Sequence, residues 1–293
     1  MPRIPNPIKR MILPFWNGGH RLAWRLGEYA GAVRYRRFGR CSVCGRFGPR
    51  LYRRWVIPPK LEQFWGMTPK VAQAMAHKES DDCAFCGAKL RCRRLADVLL
   101  ATYPTEPPAS SIRQWVQRDA IRALRVAEIN RIDGLHEALK RLPHHAYSEF
   151  LSGVEPGSSH DGVRCEDLTR LSYADESFDL VLTSETLEHL PDLDAALREI
   201  HRVLAPGGLH VFTIPMLPVV ARTFARARLR PDGSMETLAR PISHPGGDTG
   251  YPVFTEFGTD FPALLDAQGF ATTTHYGPVR DDDVAQVYAS RKL

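Results

Sequence analysis

The chain has 293 residues, of which 43% are hydrophobic and 25% are charged, as in an ordinary globular protein with enough apolar residues for a full core. This length predicts one domain of common size with an additional segment. No uncharged apolar stretch of about 18 residues and no signal-peptide pattern is present, so we expect a cytoplasmic protein without a transmembrane segment.

Residues 1–40 form a basic, aromatic N-terminal segment. The formal net charge of +6 falls mainly on this part, because the first 60 residues contain a single acid, Glu28. The asymmetry predicts either an anionic partner or a solvated basic face. Residues 20–31 mix leucine, tryptophan and tyrosine with arginine, which indicates a short amphipathic helix that packs on the protein or lies on a membrane surface. Peripheral membrane contact through this segment therefore stays open.

Residues 41–100 form a cysteine-rich module. It contains two Cys-x-x-Cys pairs, each followed by glycine, and these are Cys41 and Cys44, then Cys83 and Cys86. Glycine permits the tight turn that aims two thiolates at one ion, and four thiolates are a ligand set of structural Zn²⁺. The spacer between the pairs is longer than in usual zinc ribbons, so free thiols are the alternative. We expect structural Zn²⁺ at the four cysteines and a helix around Thr68–His77.

A proline- and serine-rich linker, 102–111, leads into the third region, residues 105–293. Short apolar runs alternate there with helical patterns, which is typical of βαβ units in a parallel sheet. The predicted strands are Val126–Asn130, Ala146–Phe150, Gly162–Leu168, Phe178–Ser184, Leu209–Pro215, Ala271–Tyr276 and Val284–Ser290. The predicted helices are Asp133–Arg141, Leu193–Leu204 and Thr259–Gln268. The last two strands are joined by a connection too short for a helix, so we expect them to pair antiparallel.

The most specific motifs lie in residues 163–215. They are an acid after the third predicted strand, Asp-Glu-Ser-Phe-Asp-Leu-Val at the fourth, Glu-His after it, and Arg-Glu-Ile-His-Arg-Val-Leu-Ala-Pro-Gly-Gly before the fifth. In these motifs the chain closely resembles class I S-adenosylmethionine-dependent methyltransferases of the type 11 kind. The resemblance implies an α/β, Rossmann-like sheet of seven strands, mostly parallel with an antiparallel last strand, behind the small zinc-binding region.

The resemblance also implies which residues bind S-adenosylmethionine. Asp167 matches the acid that contacts the adenine amino group, and Glu149 matches the acid that accepts both ribose hydroxyls. Ser184 lies in the loop that faces the methionine end of the cofactor. The full set expected to bind the cofactor is Glu128, Asn130, Gly134, Glu149, Asp167, Leu168 and Ser184.

The turn after the first strand departs from the family pattern. Relatives carry Gly-x-Gly there, whereas this chain has Asn130 in place of the first glycine and only Gly134 nearby. Asparagine tolerates left-handed backbone geometry better than most residues, so we expect the turn to persist in altered form. The alternative is a catalytically inactive binding protein that keeps the methyltransferase fold but has lost its cofactor.

Candidate catalytic residues lie in two segments. The loop after the fourth strand offers Glu185, Glu188 and His189, and the segment after the fifth strand, which forms an acceptor-side lid in this fold, offers His244. The sequence around His244 resembles that of a bacterial subgroup often encoded with surface-glycan enzymes. We interpret His244, His189 and Glu185 as the catalytic residues, with His244 as the acceptor-side base.

The expected activity is methyl transfer to an oxygen or nitrogen of a glycan-like or small-molecule acceptor. An RNA methyltransferase is the alternative enzyme, because the head of the chain is basic and zinc modules occur in some enzymes of that kind. We do not favour a nucleic-acid partner, since no base-modification signature follows the fourth strand.

Overall fold

The structure is a computed structural model that describes residues 25–54, 56–230, 232–244, 250–277 and 284–293. Residues 25–34 are helical (α1), so the described part of the predicted amphipathic helix is helical, and its first residues lie outside the described ranges. Within those ranges, no helix combines the length and apolar composition needed to cross a membrane.

The cysteine-rich module consists of a three-stranded antiparallel sheet and three helices, and its first strand begins at Phe38, before the predicted bound at residue 41. Its elements are β1 (Phe38–Arg40), β2 (Phe47–Leu51), α2 (Pro59–Phe64), α3 (Pro69–Ser80), β3 (Asp82–Cys83) and α4 (Leu90–Thr102). The helix α3 begins at Pro69, and the Thr68 hydroxyl caps it by accepting a hydrogen bond from the Val71 amide at 3.3 Å. The helix predicted around Thr68–His77 is therefore confirmed, and it continues to Ser80.

From residue 112 onward helices and strands alternate. The first elements are α5 (Ile112–Trp115), α6 (Asp119–Arg122), β4 (Val126–Ile129), α7 (His136–Leu139), β5 (His145–Glu149), β6 (Ser159–His160), β7 (Val163–Cys165), β8 (Phe178–Ser184), a 3₁₀ turn at Leu187–His189, α8 (Leu193–Val203) and β9 (Leu204–Thr213). The remaining elements are β10 (Phe224–Ala225), β11 (Ala227–Leu229), β12 (Met235–Thr237), β13 (Ser243–His244), β14 (Tyr251–Pro252), β15 (Thr255–Glu256), α9 (Phe261–Ala267), β16 (Phe270–His275) and β17 (Val287–Lys292).

Eight of these strands form one mixed sheet, in the order β16-β17-β9-β8-β4-β5-β7-β6. The strands β4, β5, β7, β8 and β9 run parallel, whereas β17 is antiparallel to both of its neighbours. The mostly parallel Rossmann-like sheet with an antiparallel last strand is therefore confirmed. An eighth strand was not predicted, because β6 has two residues at the sheet edge, too few to show an alternating pattern.

The sheet is covered by a hydrophobic layer on each face. On β8, Leu180 and Leu182 pack into one cluster, and Val181 between them packs into the other, because successive side chains of a strand point to opposite faces. The first cluster contains Leu95 of α4, and the second contains Ile200 of α8. The helix α4 of the cysteine module thus packs directly on the sheet.

The chain between β9 and α9 forms three small antiparallel strand pairs, β10 with β15, β11 with β12, and β13 with β14. We call this segment, residues 216–258, the lid. It lies beside the loop after β8, since the Phe254 amide donates a hydrogen bond to the Glu188 carbonyl at 2.7 Å. Residues 245–249 of the lid lie outside the described ranges.

Candidate active site

The four cysteines of the two pairs converge within the module. Cys41 Sγ lies 3.7 Å from Cys86 Sγ, and Cys44 Sγ lies 3.8 Å from Cys83 Sγ. All four sulfur atoms lie within 4.8 Å of one another. Four thiolates arranged as a tetrahedron, each about 2.3 Å from a zinc ion, would have their sulfur atoms about 3.8 Å apart. The cluster therefore has the dimensions of the expected zinc site.

The glycine after each cysteine pair turns the chain as expected. The Gly45 amide donates to the Cys41 carbonyl at 2.7 Å, and the Gly87 amide donates to the Cys83 carbonyl at 2.8 Å. Both glycines have left-handed φ angles, 79° and 71°. These turns bring the two sulfur atoms of each pair to the same side of the chain.

The turn after β4 is built around a buried carboxylate. Glu128 is fully buried, and it accepts hydrogen bonds from the Ile132 amide at 2.8 Å, from His136 Nδ1 at 2.9 Å and from His145 Nε2 at 3.0 Å. Asn130 has a φ of 63°, the left-handed conformation expected of it. The altered turn is therefore present, and Glu128 holds it together.

Gly134 lies in close contact with the cysteine module. Its φ is 81°, and a Cβ atom there would lie 2.6 Å from the Cβ and 2.8 Å from the Cα of Ala88. Ala88 follows the second cysteine pair by two residues. The need for glycine at this position thus comes from packing of the module on the turn.

A carboxylate stands at the carboxyl end of β5. Glu149 accepts hydrogen bonds at Oε1 from the Arg131 amide at 3.1 Å and from the Tyr147 hydroxyl at 2.5 Å. Its side chain stays partly exposed. One oxygen is therefore fixed by the protein, while the group remains accessible at the edge where ligands bind in open α/β sheets.

A second carboxylate follows the neighbouring strand, β7. Glu149 is in register with Cys165, two residues before Asp167, so the two acids lie at the same sheet edge. Asp167 accepts hydrogen bonds at Oδ1 from the amide and hydroxyl of Thr169, at 2.9 Å and 2.7 Å. Leu168 is buried beside it.

The end of β8 is tied to the cysteine module. The Ser184 hydroxyl accepts a hydrogen bond from Arg91 Nη1 at 2.5 Å, and Arg91 Nε donates to the Glu79 carboxylate at 3.2 Å. Burial alone would lower the pKa of Arg91, but the charge of Glu79 raises it above its usual value. Burial raises the pKa of Glu79, yet the charges of Arg91 and Lys78 bring it down to about 2. Both members of the pair are therefore charged at neutral pH.

A buried ion pair holds the side chain of Glu185, the residue after Ser184. Lys78 of α3 is fully buried, and its Nζ donates hydrogen bonds to Glu185 Oε2 and to the Ile214 carbonyl, both at 2.9 Å. Glu185 has a φ of 51°, an unfavourable conformation for a residue with a side chain. The pair fixes the position of the Glu185 carboxylate.

Glu188, His189 and His244 converge near this pair. Glu188 Oε1 lies 3.5 Å from His189 Nε2 and 3.6 Å from His244 Nδ1. Burial, and then the charge of Glu185, raise the pKa of Glu188 well above its usual value. Burial, and then the charge of His189, lower the pKa of His244 to about 4. His244 is thus a neutral imidazole near pH 7.

A cavity of about 340 Å³ joins these groups. Its polar wall includes Glu79, Arg91, Ser184, Glu185, His189 and His244. Its apolar wall comes mainly from the cysteine module, through Val56, Ile57, Leu61, Trp65, Met67 and Met75, and the lid adds Tyr251 and Val253. All three predicted catalytic residues therefore line one cavity.

The predicted cofactor residues fall into three places. Ser184 lines the cavity, and Glu149 and Asp167 lie at the sheet edge. Glu128 is buried within the turn after β4, and Gly134 of that turn packs against Ala88. Sequence reasoning missed Lys78, Glu79, Arg91, Trp65 and Tyr251. No local pattern identifies them, because their partners in the site are distant in the sequence.

Comparison with known proteins gives matches centred on the sheet. Residues 117–212 match the family described as a methyltransferase domain. A malonyl-[acyl-carrier protein] O-methyltransferase of Halorhodospira halophila is 34% identical over 98 residues, which are 33% of this chain and 30% of the relative. A demethylmenaquinone methyltransferase of Corynebacterium urealyticum is 35% identical over 101 residues, 33% of this chain and 43% of the relative. The chain thus spans less than half the length of these relatives.

Solved structures give weaker matches. The S-adenosylmethionine-bound structure of an amino pentose methyltransferase from Micromonospora echinaspora is 15% identical, with a TM-score of 0.38, over 62% of this chain and 89% of that chain. The matched family segment, in contrast, runs from before β4 to within β9 and contains the strand ends described above. The motifs of residues 163–215, the family match over residues 117–212 and the observed strand order all agree with a methyltransferase domain in this part of the chain.

Proposed function

We propose that the chain transfers a methyl group from S-adenosylmethionine to an oxygen or nitrogen of a small-molecule or glycan-like acceptor. The observation that carries this proposal is the cavity at the end of β8, which adjoins the sheet edge that bears Glu149 and Asp167. Ligands of open α/β sheets bind at the carboxyl ends of the strands. Cofactor and acceptor would meet at Ser184 and Glu185.

The cofactor side fits S-adenosylmethionine, which supplies an electrophilic sulfonium methyl group when bound. Glu149 would accept the ribose hydroxyls, because its carboxylate is partly exposed and already oriented through Oε1. Asp167 would accept the adenine amino group, with Leu168 beside it. The left-handed Asn130 shapes the turn next to the cofactor.

Glu128 and Gly134 would act on the cofactor site indirectly, through the turn after β4. Glu128 fixes the turn through the Ile132 amide, and Gly134 lets the cysteine module close on it. Their proposed role is to position the turn.

His244, His189 and Glu185 would form the acceptor side. When a hydroxyl or amine of the acceptor attacks the methyl carbon, the bond from that carbon to sulfur breaks and S-adenosylhomocysteine leaves. A neutral imidazole can take the proton that the acceptor loses, and we assign this step to His244. Trp65 and Tyr251 add aromatic faces to the apolar wall of the cavity, which also has a polar wall. This mixture suits a small polar ring compound, and the cavity has the size of an ordinary small-molecule site.

The four-cysteine cluster would hold a structural zinc ion. All four coordination positions would be filled by protein sulfur atoms, so the ion would have no open position for chemistry. Its proposed role is to hold together β2, β3 and the start of α4, which carries Arg91 to the cavity.

Methyl incorporation tests the proposed function. The full chain is incubated with S-adenosylmethionine that carries a tritium-labelled methyl group and with fractionated cell extract. We expect label in a glycan or small-molecule fraction, and we expect His244→Ala to reduce incorporation by roughly 10²- to 10⁴-fold, the usual contribution of a general base. His160→Ala is the matched control, since His160 is exposed at the far edge of the sheet.

Other outcomes decide between the alternatives. Label in RNA, together with saturable RNA binding that weakens with salt, would favour an RNA methyltransferase. Absence of label from every fraction, together with no binding of S-adenosylmethionine, would favour an inactive binding protein.

A further inference from the structure

We propose that Glu188, His189 and His244 bind a first-row divalent metal ion at the wall of the cavity, as a second site separate from the four cysteines. Two imidazoles and one carboxylate form the ligand set of many catalytic zinc sites and of non-haem iron sites. The site itself is independent of the proposed methyl transfer. Its effect on an acceptor rests on that proposed function.

The spacing of the ligand atoms fits one ion. Glu188 Oε1 lies 3.5 Å from His189 Nε2 and 3.6 Å from His244 Nδ1, and the ligand atoms of the three residues all lie within 4.8 Å of one another. Nitrogen and oxygen ligands lie about 2.0–2.2 Å from zinc, so neighbouring ligand atoms in a tetrahedral site are about 3.3–3.6 Å apart. The two separations from Glu188 Oε1 therefore match a bound ion, and the third separation is at most 4.8 Å.

The carboxylate of Glu188 lacks the partners that its burial demands. Its side chain is fully buried, and neither oxygen has a hydrogen-bond partner within the described part of the chain. Lys78 and Arg91, the buried cations of this region, are already paired with Glu185 and Glu79. Burial without a partner disfavours the charged form of Glu188, and a coordinated cation would satisfy both the charge and the oxygen lone pairs of its carboxylate.

His189 is oriented as a metal ligand. Its Nδ1 lies 2.7 Å from the Pro252 carbonyl oxygen, which can only accept, so Nδ1 carries the hydrogen. The lone pair of the neutral ring is then on Nε2, the atom that faces Glu188. A hydrogen bond from the remote ring nitrogen to a backbone carbonyl is the usual way in which proteins fix the tautomer of a metal-binding histidine.

The lid supplies both the second imidazole and this carbonyl. His244 on β13 pairs with Tyr251 on β14, and Pro252 is the next residue of the same strand pair. The Phe254 amide donates to the Glu188 carbonyl at 2.7 Å, which fixes the lid to the loop after β8. The three ligands are therefore held in place by backbone contacts before any ion binds.

Three protein ligands leave an open coordination position. His189 and His244 both line the cavity, so that position would face the acceptor. An ion there would bind and orient an acceptor oxygen, which extends the proposed function to hydroxyl- or carboxylate-bearing acceptors. The ion would also occupy the Nδ1 lone pair of His244. While the ion is bound, His244 would therefore act as a metal ligand and not as the base.

Metal binding without cofactor or acceptor tests the proposal. The full chain is stripped with a chelator under reducing conditions, reloaded by dialysis against micromolar zinc chloride, and analysed for metal. We expect Glu188→Gln and His244→Gln each to bind one zinc ion fewer per chain than the unmodified protein. Glu256→Gln is the matched control, because Glu256 lines the same cavity but pairs with Arg226, and it should keep the full zinc content.

Two further measurements keep the test independent of folding and of activity. Cobalt bound at this site should add visible ligand-field bands without additional sulfur-to-cobalt charge transfer, because no thiolate takes part. Zinc should raise the melting temperature of the unmodified chain more than that of Glu188→Gln. Equal zinc content and equal thermal shifts in the unmodified chain and both variants would overturn the proposal, whatever the methyltransfer assay gives.

Discussion

Single residues of the site carry charges that are removed from water. Lys78 is fully buried, and Glu185 and the Ile214 carbonyl are the acceptors of its ammonium group. The net stabilisation by such a pair is small, because desolvation of both ions offsets their attraction. Loss of one partner is much more costly, since it leaves the other charge buried and uncompensated.

We therefore expect Lys78→Met to lower the free energy of unfolding by about 3–5 kcal/mol. The double variant Lys78→Met/Glu185→Gln should recover part of this loss, because no buried charge is left without a partner. Urea denaturation of both variants is the measurement. Lys140→Met is the control, because its pair with Glu137 is exposed to solvent and should contribute little to stability. A loss for Lys78→Met as small as for Lys140→Met would contradict the buried pair.

His210 makes stability depend on pH. It is fully buried on β9, its Nε2 lies 3.0 Å from the Thr183 hydroxyl, and burial lowers its pKa to about 3. In the unfolded chain this histidine has a pKa of about 6.5, so below that pH the unfolded state binds a proton that the folded state does not bind. The contribution of His210 to the free energy of unfolding is therefore fully present above about pH 6.5. Below that pH it falls by up to about 1.4 kcal/mol per pH unit, until the pH reaches the pKa of the folded state.

The variant His210→Gln removes this dependence. The difference in unfolding free energy between the unmodified chain and the variant should therefore change by about 2 kcal/mol, in favour of the variant, between roughly pH 7 and pH 5. Urea denaturation at a series of pH values measures it. A difference that stays constant with pH would show that His210 is not buried as a neutral group.

At the scale of elements, the contact between the cysteine module and the turn after β4 joins two parts of the chain. Gly134 stands against Ala88 and has a left-handed φ, so a side chain there meets both strain and a clash. Gly153 has a similar φ of 77° but open space around it. The two glycines separate the effect of packing from the effect of backbone conformation.

We expect Gly134→Ala to destabilise the protein by at least about 1 kcal/mol more than Gly153→Ala, because only the first substitution overpacks the contact. Chemical denaturation of both variants checks this difference. Equal losses of stability in the two variants would show that the module is not in tight contact with the turn.

The strands of the large sheet could be predicted from the sequence better than the helices around the site. The strand β8 has the predicted bounds, because a buried parallel strand is a short apolar run. The helix predicted over Asp133–Arg141 is reduced to His136–Leu139, since the positive φ of Gly134 is incompatible with a helix through that residue. The apolar pattern alone does not reveal such a turn.

Residues of the candidate site could be proposed from the sequence where a motif marks them. Asp167, Glu149 and His244 could be selected by resemblance, whereas Lys78 and Arg91 could not. The hydrogen bonds of these two basic residues to Glu185 and Ser184 span 107 and 93 positions of the sequence. Lysine and arginine in a helix are usually exposed, and only the packing of the module on the sheet turns them inward.

At the scale of the whole molecule, the cysteine site and the sheet share one hydrophobic layer. Cys83 and Cys92 belong to the same buried cluster as Leu180 of β8 and Val287 of β17. Loss of the proposed zinc ion should therefore destabilise the sheet as well as the module. The module is also the source of Arg91 and of most of the apolar cavity wall.

We expect removal of zinc by a chelator to lower the melting temperature and to speed amide hydrogen exchange in β8 and β9 as well as in the module. Reloading with zinc should restore both properties. Unchanged protection of β8 and β9 after removal of the metal would mean that the two parts are energetically independent.

Binding of S-adenosylmethionine at the sheet edge is the central claim, and calorimetry on the full chain tests it most directly. We predict saturable binding at one site, and we predict that Glu149→Gln weakens it by about 1.5–3 kcal/mol, which is roughly 10- to 150-fold, because charge-assisted hydrogen bonds to the ribose are lost. Glu155→Gln should bind as the unmodified chain does, since Glu155 is an exposed acid of the loop that follows β5. Absence of binding by the unmodified chain, or equal affinity of Glu149→Gln and the unmodified chain, would contradict the claim.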